Sequence, residues 1–248
     1  MKYLAVLPWV YKPYYDACRA TMHPDLVANT LFIDNSQKNL GIMRSHNIGA
    51  QRVLDEGLDW LIILSAAIRF LEPGGMDYVQ VLADNMDHYV IHGATPNHPP
   101  APDQTKVDNQ EQPEYRNGVF GWHLTAFKRE LFENVGIWDE NFTPYGYDDI
   151  DLSIRIQAHY KGRPGWGTFP VEVSDTTMSH SINLGGVKSQ DETKIEYFHR
   201  KWGRYHGEWQ VPSYPTPFNE PQRSLGYWPK QGEEHANNEA WEHLNANQ

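Results

Sequence analysis

Cysteine is almost absent from this chain: Cys18 is the only one in 248 residues. A single thiol excludes an internal disulfide framework and fits a reducing compartment, so a cytoplasmic protein is expected. Basic residues are scarce too, with 21 Lys and Arg against 32 Asp and Glu and a formal net charge of −11. That balance excludes a nucleic-acid backbone or an anionic membrane as the main partner, while a local basic spot can still hold a single nucleotide. No long hydrophobic run occurs. The most apolar segment, residues 58–71, contains Asp59 and Arg69 and is too short to span a bilayer. The apolar stretch behind Met1 and Lys2 is too short for a secretory signal. Cys-His zinc spacing, a Walker loop and a GxGxxG fingerprint are missing as well. Core material is plentiful, at 40% hydrophobic and 13% aromatic residues, enough for one large domain with or without an appendage.

Short apolar strands alternate with helical patterns over the first half. Strands are expected at 2–7, 30–33, 60–64 and 88–92, and helices at 11–22, 42–54 and 76–85. This order predicts an α/β domain with a largely parallel sheet, whose ligands bind beyond the carboxyl ends of the strands. Those ends are Pro8-Trp9, Asp34-Asn35-Ser36 and Ser65-Ala66-Ala67. Residues 94–116 are rich in Pro, Asn, Gln and Asp without a period, which reads equally as disorder or as a lid. An apolar strand ending near Phe127 follows, then a helix at 128–134, a strand at 167–173 and a helix at 192–202. The last part, rich in Trp, Pro and Tyr, is expected to wrap over the domain and to end in a polar tail from residue 231.

The segment Asp148-Asp149-Ile150-Asp151 opens another helical pattern. Ile150 with Ile154, and Leu152 with Ile156, give the four-residue spacing of a buried face. Acidic groups in a first helical turn sit at the positive end of the macrodipole, which favours their ionised form. Asp148 as a helix cap with solvated neighbours is one reading. A carboxylate that takes a proton from a hydroxyl group is the other.

The order of motifs resembles the GT-A glycosyltransferases, most closely those of family 2. Three blocks carry the resemblance. The first runs from Ile33-Asp34-Asn35 through Asn39-Leu40-Gly41 to Arg44 and Asn47-Ile48-Gly49. The second, the specific one, runs from Gly121-Trp122-His123 through Gly136-Ile137-Trp138-Asp139-Glu140 into Tyr145-Gly146-Tyr147-Asp148-Asp149-Ile150-Asp151-Leu152 and Arg155. The third is His180 with Asn183, then Lys201-Trp202-Gly203. The resemblance implies a Rossmann-like GT-A domain over residues 1–203, a mixed sheet flanked by helices, with 204–248 as a C-terminal extension. It implies transfer of a sugar from a nucleotide diphosphate, a UDP-sugar in the first instance, to an acceptor hydroxyl. Asp149 matches the catalytic base of an inverting single displacement, and Asp148 the acidic partner that holds the acceptor. Pro8, Trp9, Asp34, Asn35, Asn39, Arg44, Ser65, Ala66 and Ala67 fall at donor positions. Trp122 and His123 suit a sugar floor, with core packing the alternative for Trp122. Asp151 and Arg155 read as a structural i,i+4 pair. The acceptor is a protein in the first instance, otherwise a glycan or a lipid carrier.

One departure stands out. Members of the family carry an acidic DxD-like motif after the third strand, whose last Asp binds Mn2+ or Mg2+. Here that position is Ser65-Ala66-Ala67, and methyl groups cannot ligate a hard cation. Three explanations fit: Arg69, a lysine or a histidine takes over the cationic role; His180 with another group binds the metal; or alanines stand in for native acidic residues. Two other functions compete. A nucleotidyltransferase normally needs a Gly-rich basic N-terminal loop, which Leu7-Pro8-Trp9-Val10-Tyr11-Lys12 does not supply. A non-catalytic sugar-nucleotide or carbohydrate-binding protein accounts for the missing acidic motif, but leaves the acidic pair unexplained.

Overall fold

The computed structural model describes residues 1–38, 40–94, 123–142, 146–160, 166–170 and 173–175. Eight strands and six α-helices are present among them: β1 Tyr3–Trp9, α1 Lys12–Ala20, α2 Pro24–Ala28, β2 Thr30–Asp34, α3 Ile42–Glu56, β3 Trp60–Leu64, β4 Ile68–Phe70, α4 Met76–Asp84, β5 Val90–Ala94, β6 Leu124–Lys128, α5 Arg129–Val135, α6 Asp148–Tyr160, β7 Trp166–Pro170 and β8 Val173–Asp175. A 3-10 turn, Glu140–Phe142, precedes α6. The strands form a six-stranded sheet in the order β2-β1-β3-β6-β5-β7, and β4 pairs with β8 in a small second sheet.

The sheet is mixed, as the GT-A resemblance implies, and not the largely parallel one that the strand-helix alternation alone suggests. β1 runs parallel to β2 and β3, but β6 is antiparallel to both β3 and β5. The alternation that signals parallel βαβ units ends at β5, because the sequence between β5 and β6 carries no helical period that would return the chain for a parallel pairing. The end of β1 also moves outward. The strand continues through Pro8 to Trp9, where β1 is paired with β2 alone: Pro8 lies opposite Ile33, beyond the last β3 partner at Val6, so its missing N–H falls outside the β1–β3 register. The helix expected at 11–22 ends at Ala20, and a separate short helix, α2, begins at Pro24, where proline fits the first turn. β8 and β4 are three residues each, too short to show a period.

Two apolar layers enclose the sheet. Leu7, Trp60, Ile62 and Leu64 pack beneath α1, α2 and α4 with Cys18, Leu26 and Leu82. Val6, Leu61 and Ile63 face α3, α5 and α6 with Val53, Trp138, Leu152 and Ile156. The predicted buried face of α6 is real at Leu152 and Ile156, both essentially inaccessible. α3 lies so close to β1 that a Cβ on Gly49 would meet Val6 Cγ2 at 2.3 Å, which makes glycine obligatory there. The helix stops at Gly57, which takes the left-handed conformation at φ 62° and lets Leu58 N–H reach the Val53 carbonyl at 3.0 Å. No helix of the described residues is long and apolar enough to cross a membrane.

Several expectations fall outside the described residues: the 94–116 lid beyond Ala94, the helix at 192–202, the C-terminal extension and tail, and the division at residue 203.

Candidate active site

The parallel run β2-β1-β3 brings three chain ends to one edge of the sheet. Trp9 is registered with Asp34, and Asn35 N–H donates to the Trp9 carbonyl at 2.8 Å, so the ends of β1 and β2 are adjacent. The end of β3 lies on the other side of β1. His123 joins the same edge, because β6 starts opposite Leu64 and the His123 carbonyl accepts the Ser65 N–H at 2.8 Å. Pro8, Trp9, Asp34, Ser65, Ala66, Ala67 and His123 therefore converge as the sequence suggests. Trp9 stacks on Tyr15 at 4.8 Å, and Asp34 stays exposed, its carboxylate accepting the Ser36 N–H at 2.8 Å. Trp122, Asn39 and His180 lie outside the described residues.

Two of the donor-side candidates have structural partners. Asn35 is buried; its amide donates to Ser45 Oγ at 3.0 Å and its oxygen accepts the Leu40 N–H at 3.3 Å, which folds the loop between β2 and α3. Arg44, on the first turn of α3, donates from Nε to Glu140 Oε2 at 3.1 Å. One turn along, Asn47 brackets the same segment: its amide donates to the Trp138 carbonyl at 2.9 Å and to Glu140 Oε1 at 3.0 Å, and its oxygen accepts the Trp138 N–H at 2.9 Å. α3 thus connects the loop after β2 to the segment that delivers the acidic pair. Asn47 and Glu140 occur in the resembling blocks, but 93 positions separate them, and nothing in the spacing pairs them.

The acidic pair follows a strained turn. Gly146 has φ 106° and Tyr147 has φ 63°, a left-handed conformation that a bulky side chain rarely takes. Tyr147, not Asp148, stands ahead of the helix, and its carbonyl accepts the Asp151 N–H at 2.8 Å. Asp148 is the first helical residue; it is buried and accepts the Gly146 N–H at 3.3 Å, so the simple capping role does not hold. Asp149 is half-buried and accepts its neighbour's N–H, that of Ile150, at 2.8 Å. Asp151 turns inward and forms a fully buried ion pair with Arg155 Nε at 2.9 Å, while Arg155 Nη1 holds the Val135 carbonyl at 2.7 Å. That pair fastens α6 to the end of α5.

The expectation that the macrodipole keeps these acids ionised is reversed. Loss of hydration raises the pKa of both Asp148 and Asp149 above the usual carboxylate range. The charge of Asp148 raises Asp149 further, and the backbone donors only partly offset the rise. The two titrate as a pair and hold a proton to higher pH than an isolated aspartate would.

A divalent cation does not fit the turn after β3. Ser65 offers one hydroxyl, which accepts the Ala67 N–H at 3.2 Å, and Ala66 and Ala67 offer methyl groups. Among the described residues no three His, Cys, Asp or Glu side chains gather to hold a metal ion.

This arrangement, a mixed sheet in the order β2-β1-β3-β6-β5-β7 flanked by helices, with three strand ends at one edge, is the GT-A fold of glycosyltransferases. The chain shares it with TarS of S. aureus, at 10% identity and a TM-score of 0.50 over 82% of this chain and 44% of that one. Glucosyl-3-phosphoglycerate synthase from Mycobacterium tuberculosis, solved with Mg2+ and UDP, aligns at 14% identity and a TM-score of 0.48 over 74% of each chain. A mannosyltransferase from Pyrobaculum calidifontis, solved with GDP-Man and Mn2+, aligns at 14% identity and a TM-score of 0.44 over 68% of this chain and 54% of its own. The chain thus spans about half the length of the first and third of these structures. No protein-family model and no curated protein matches the sequence.

Proposed function

We propose that the chain transfers a sugar from a nucleoside diphosphate donor to an acceptor hydroxyl. The observation that carries this reading is the acidic pair: two adjacent carboxylates with raised pKa values, behind a strained turn at the head of α6, in a GT-A fold. A base works best when its pKa lies near the working pH, and burial moves Asp149 in that direction. In the proposed step Asp149 takes the acceptor's hydroxyl proton while the oxygen forms a bond to the anomeric carbon. The bond from that carbon to the phosphate oxygen breaks, the electron pair leaves with the nucleoside diphosphate, and the configuration inverts. Asp148 holds the acceptor. Pro8, Trp9 and Asp34 form the nucleoside side of the site at the ends of β1 and β2, with Asp34 accepting from a base N–H. Ser65, Ala66 and Ala67 border the phosphates, and His123 borders the sugar. Asn35 and Arg44 act by shaping the loop and α3. A UDP-sugar donor, a protein acceptor and a cytoplasmic setting belong to the same reading, the last supported by the single buried cysteine.

A second reading, a binding protein that holds sugar nucleotides without turning them over, draws support from Ser65-Ala66-Ala67. Calorimetric titration with UDP-, GDP- and dTDP-sugars tests the common ground of the two. Saturable binding of at least one donor is expected; no binding of any would remove both.

A further inference from the structure

The turn after β3 lacks carboxylates, and it carries an arginine instead. β4 alternates, with Ile68 and Phe70 buried and Arg69 between them directed away from that core. The side chain folds back over the turn: Nη1 donates to the Ala66 carbonyl at 2.8 Å and to the Ile68 carbonyl at 2.7 Å. The guanidinium carbon lies 5.7 Å from the ring centre of Tyr14, in the first turn of α1, which begins just beyond the end of β1. A fixed positive charge therefore stands on the rim between the ends of β1 and β3.

Its surroundings leave that charge available. Lys12, two residues before Tyr14, is committed to Asp16 at 2.6 Å. Arg69 forms no ion pair with a described residue, and its Nε and Nη2 make no hydrogen bond to one. A guanidinium presents five N–H donors in a fork that matches two phosphate oxygens, so two sides of this one remain for an anion. Had the turn carried two aspartates, Arg69 would neutralise them. Beside two alanines it meets no carboxylate, and its charge would repel a divalent cation from the same turn.

We infer that Arg69, clasped on the Ser65–Ala67 turn, is the cation that binds the diphosphate of the donor, in place of a divalent metal at that turn. The inference rests on the proposed donor chemistry and names the group that stabilises its leaving group. As the bond from anomeric carbon to phosphate oxygen breaks, the charge that develops on the departing nucleoside diphosphate faces the free Nε and Nη2 hydrogens.

The test is calorimetric titration of the whole chain with UDP and GDP, and with uridine and guanosine as controls, in EDTA and in Mn2+. Unaltered protein, Arg69→Gln and Arg69→Lys are compared after their thermal midpoints have been checked. The unaltered protein is expected to bind a diphosphate within about threefold equally in both buffers. Arg69→Gln is expected to lose about tenfold or more in diphosphate affinity, as removal of a charge-assisted pair does, with no change for the nucleoside. Arg69→Lys is expected to keep part of the affinity. Binding that depends on Mn2+, or an Arg69→Gln protein that binds the diphosphate as tightly as the parent, overturns the inference while leaving the donor reading intact. Failure of the unaltered protein to bind either diphosphate overturns the inference, and the donor reading falls only if no sugar nucleotide binds either. If Arg69→Gln does not fold, Arg69→Lys carries the comparison: affinity equal to the parent's for the nucleoside and the diphosphate alike, or Mn2+-dependent binding by unaltered protein, overturns the inference.

Discussion

At the scale of single residues, burial overrides the charge preferences that sequence position suggests. A helix N-terminus stabilises a nearby carboxylate by about 0.3–1 kcal/mol, whereas loss of hydration shifts a buried acid by up to several pKa units. Asp148 and Asp149 accordingly move up although they head α6. His46 shows the same effect with the opposite sign. It lies inside α3 against Trp138, with ring centres 5.1 Å apart, and neither ring nitrogen has a hydrogen-bond partner. Burial lowers its pKa to about 3. The unfolded chain therefore binds a proton at His46 between the ordinary histidine value and about 3, where the folded chain does not. Stability from this group is complete above the ordinary histidine pKa and is lost as pH falls through that window, at about 1.4 kcal/mol per pH unit. Urea unfolding at a series of pH values should show His46→Leu losing less stability than the parent on acidification. Parallel curves would contradict the buried neutral imidazole. The raised carboxylates work the other way, losing folding stability as pH rises from the ordinary aspartate value through their folded-state values, and they are common to both proteins in this comparison.

At the scale of elements, α3 ties the loop after β2 to the segment that leads into the acidic pair. Its period made it legible from the sequence, and Gly49, one of the glycines of the first motif block, has a clear cause in the Val6 contact. The polar face could not be read the same way. Asn47 and Glu140 meet only because α3 and the 3-10 turn pack on the same layer, and sequence spacing holds no trace of a contact 93 positions apart. Arg44 was expected at the donor side, and its pairing with Glu140 was not legible. Replacing Asn47 with Ala leaves the Trp138 N–H, its carbonyl and a Glu140 oxygen without their partner. A buried polar group without a partner costs about 1–3 kcal/mol. Chemical denaturation of Asn47→Ala should show a loss of about 3 kcal/mol with an unchanged denaturant slope. A loss below about 0.5 kcal/mol, the level of an ordinary surface change, would mean that the bracket is not what holds the segment ahead of the acidic pair.

At the scale of the whole molecule, the strand-helix order of the first half and the edge where β1, β2 and β3 end were legible, because buried strands and amphipathic helices carry their period locally. The direction of β6 was not, since pairing with β3 depends on how the chain returns rather than on the strand's own residues. The β4–β8 pair escaped for the same reason, and with it the placement of Arg69 on the turn. The acidic pair was legible as a motif, while its pKa direction required the burial that only the fold supplies. These parts meet in the proposed function, in which a GT-A sheet would present a donor at its strand ends to an acceptor activated by Asp149. The most direct test follows phosphorus NMR spectra of the donor that binds best, with unaltered protein and with Asp149→Asn. The unaltered protein should release nucleoside diphosphate at a rate that falls as pH is lowered, with a midpoint above the ordinary carboxylate range. Asp149→Asn should bind the donor equally well but release it about 100-fold more slowly or worse, as loss of a general base does. Equal rates from the two proteins would contradict the account.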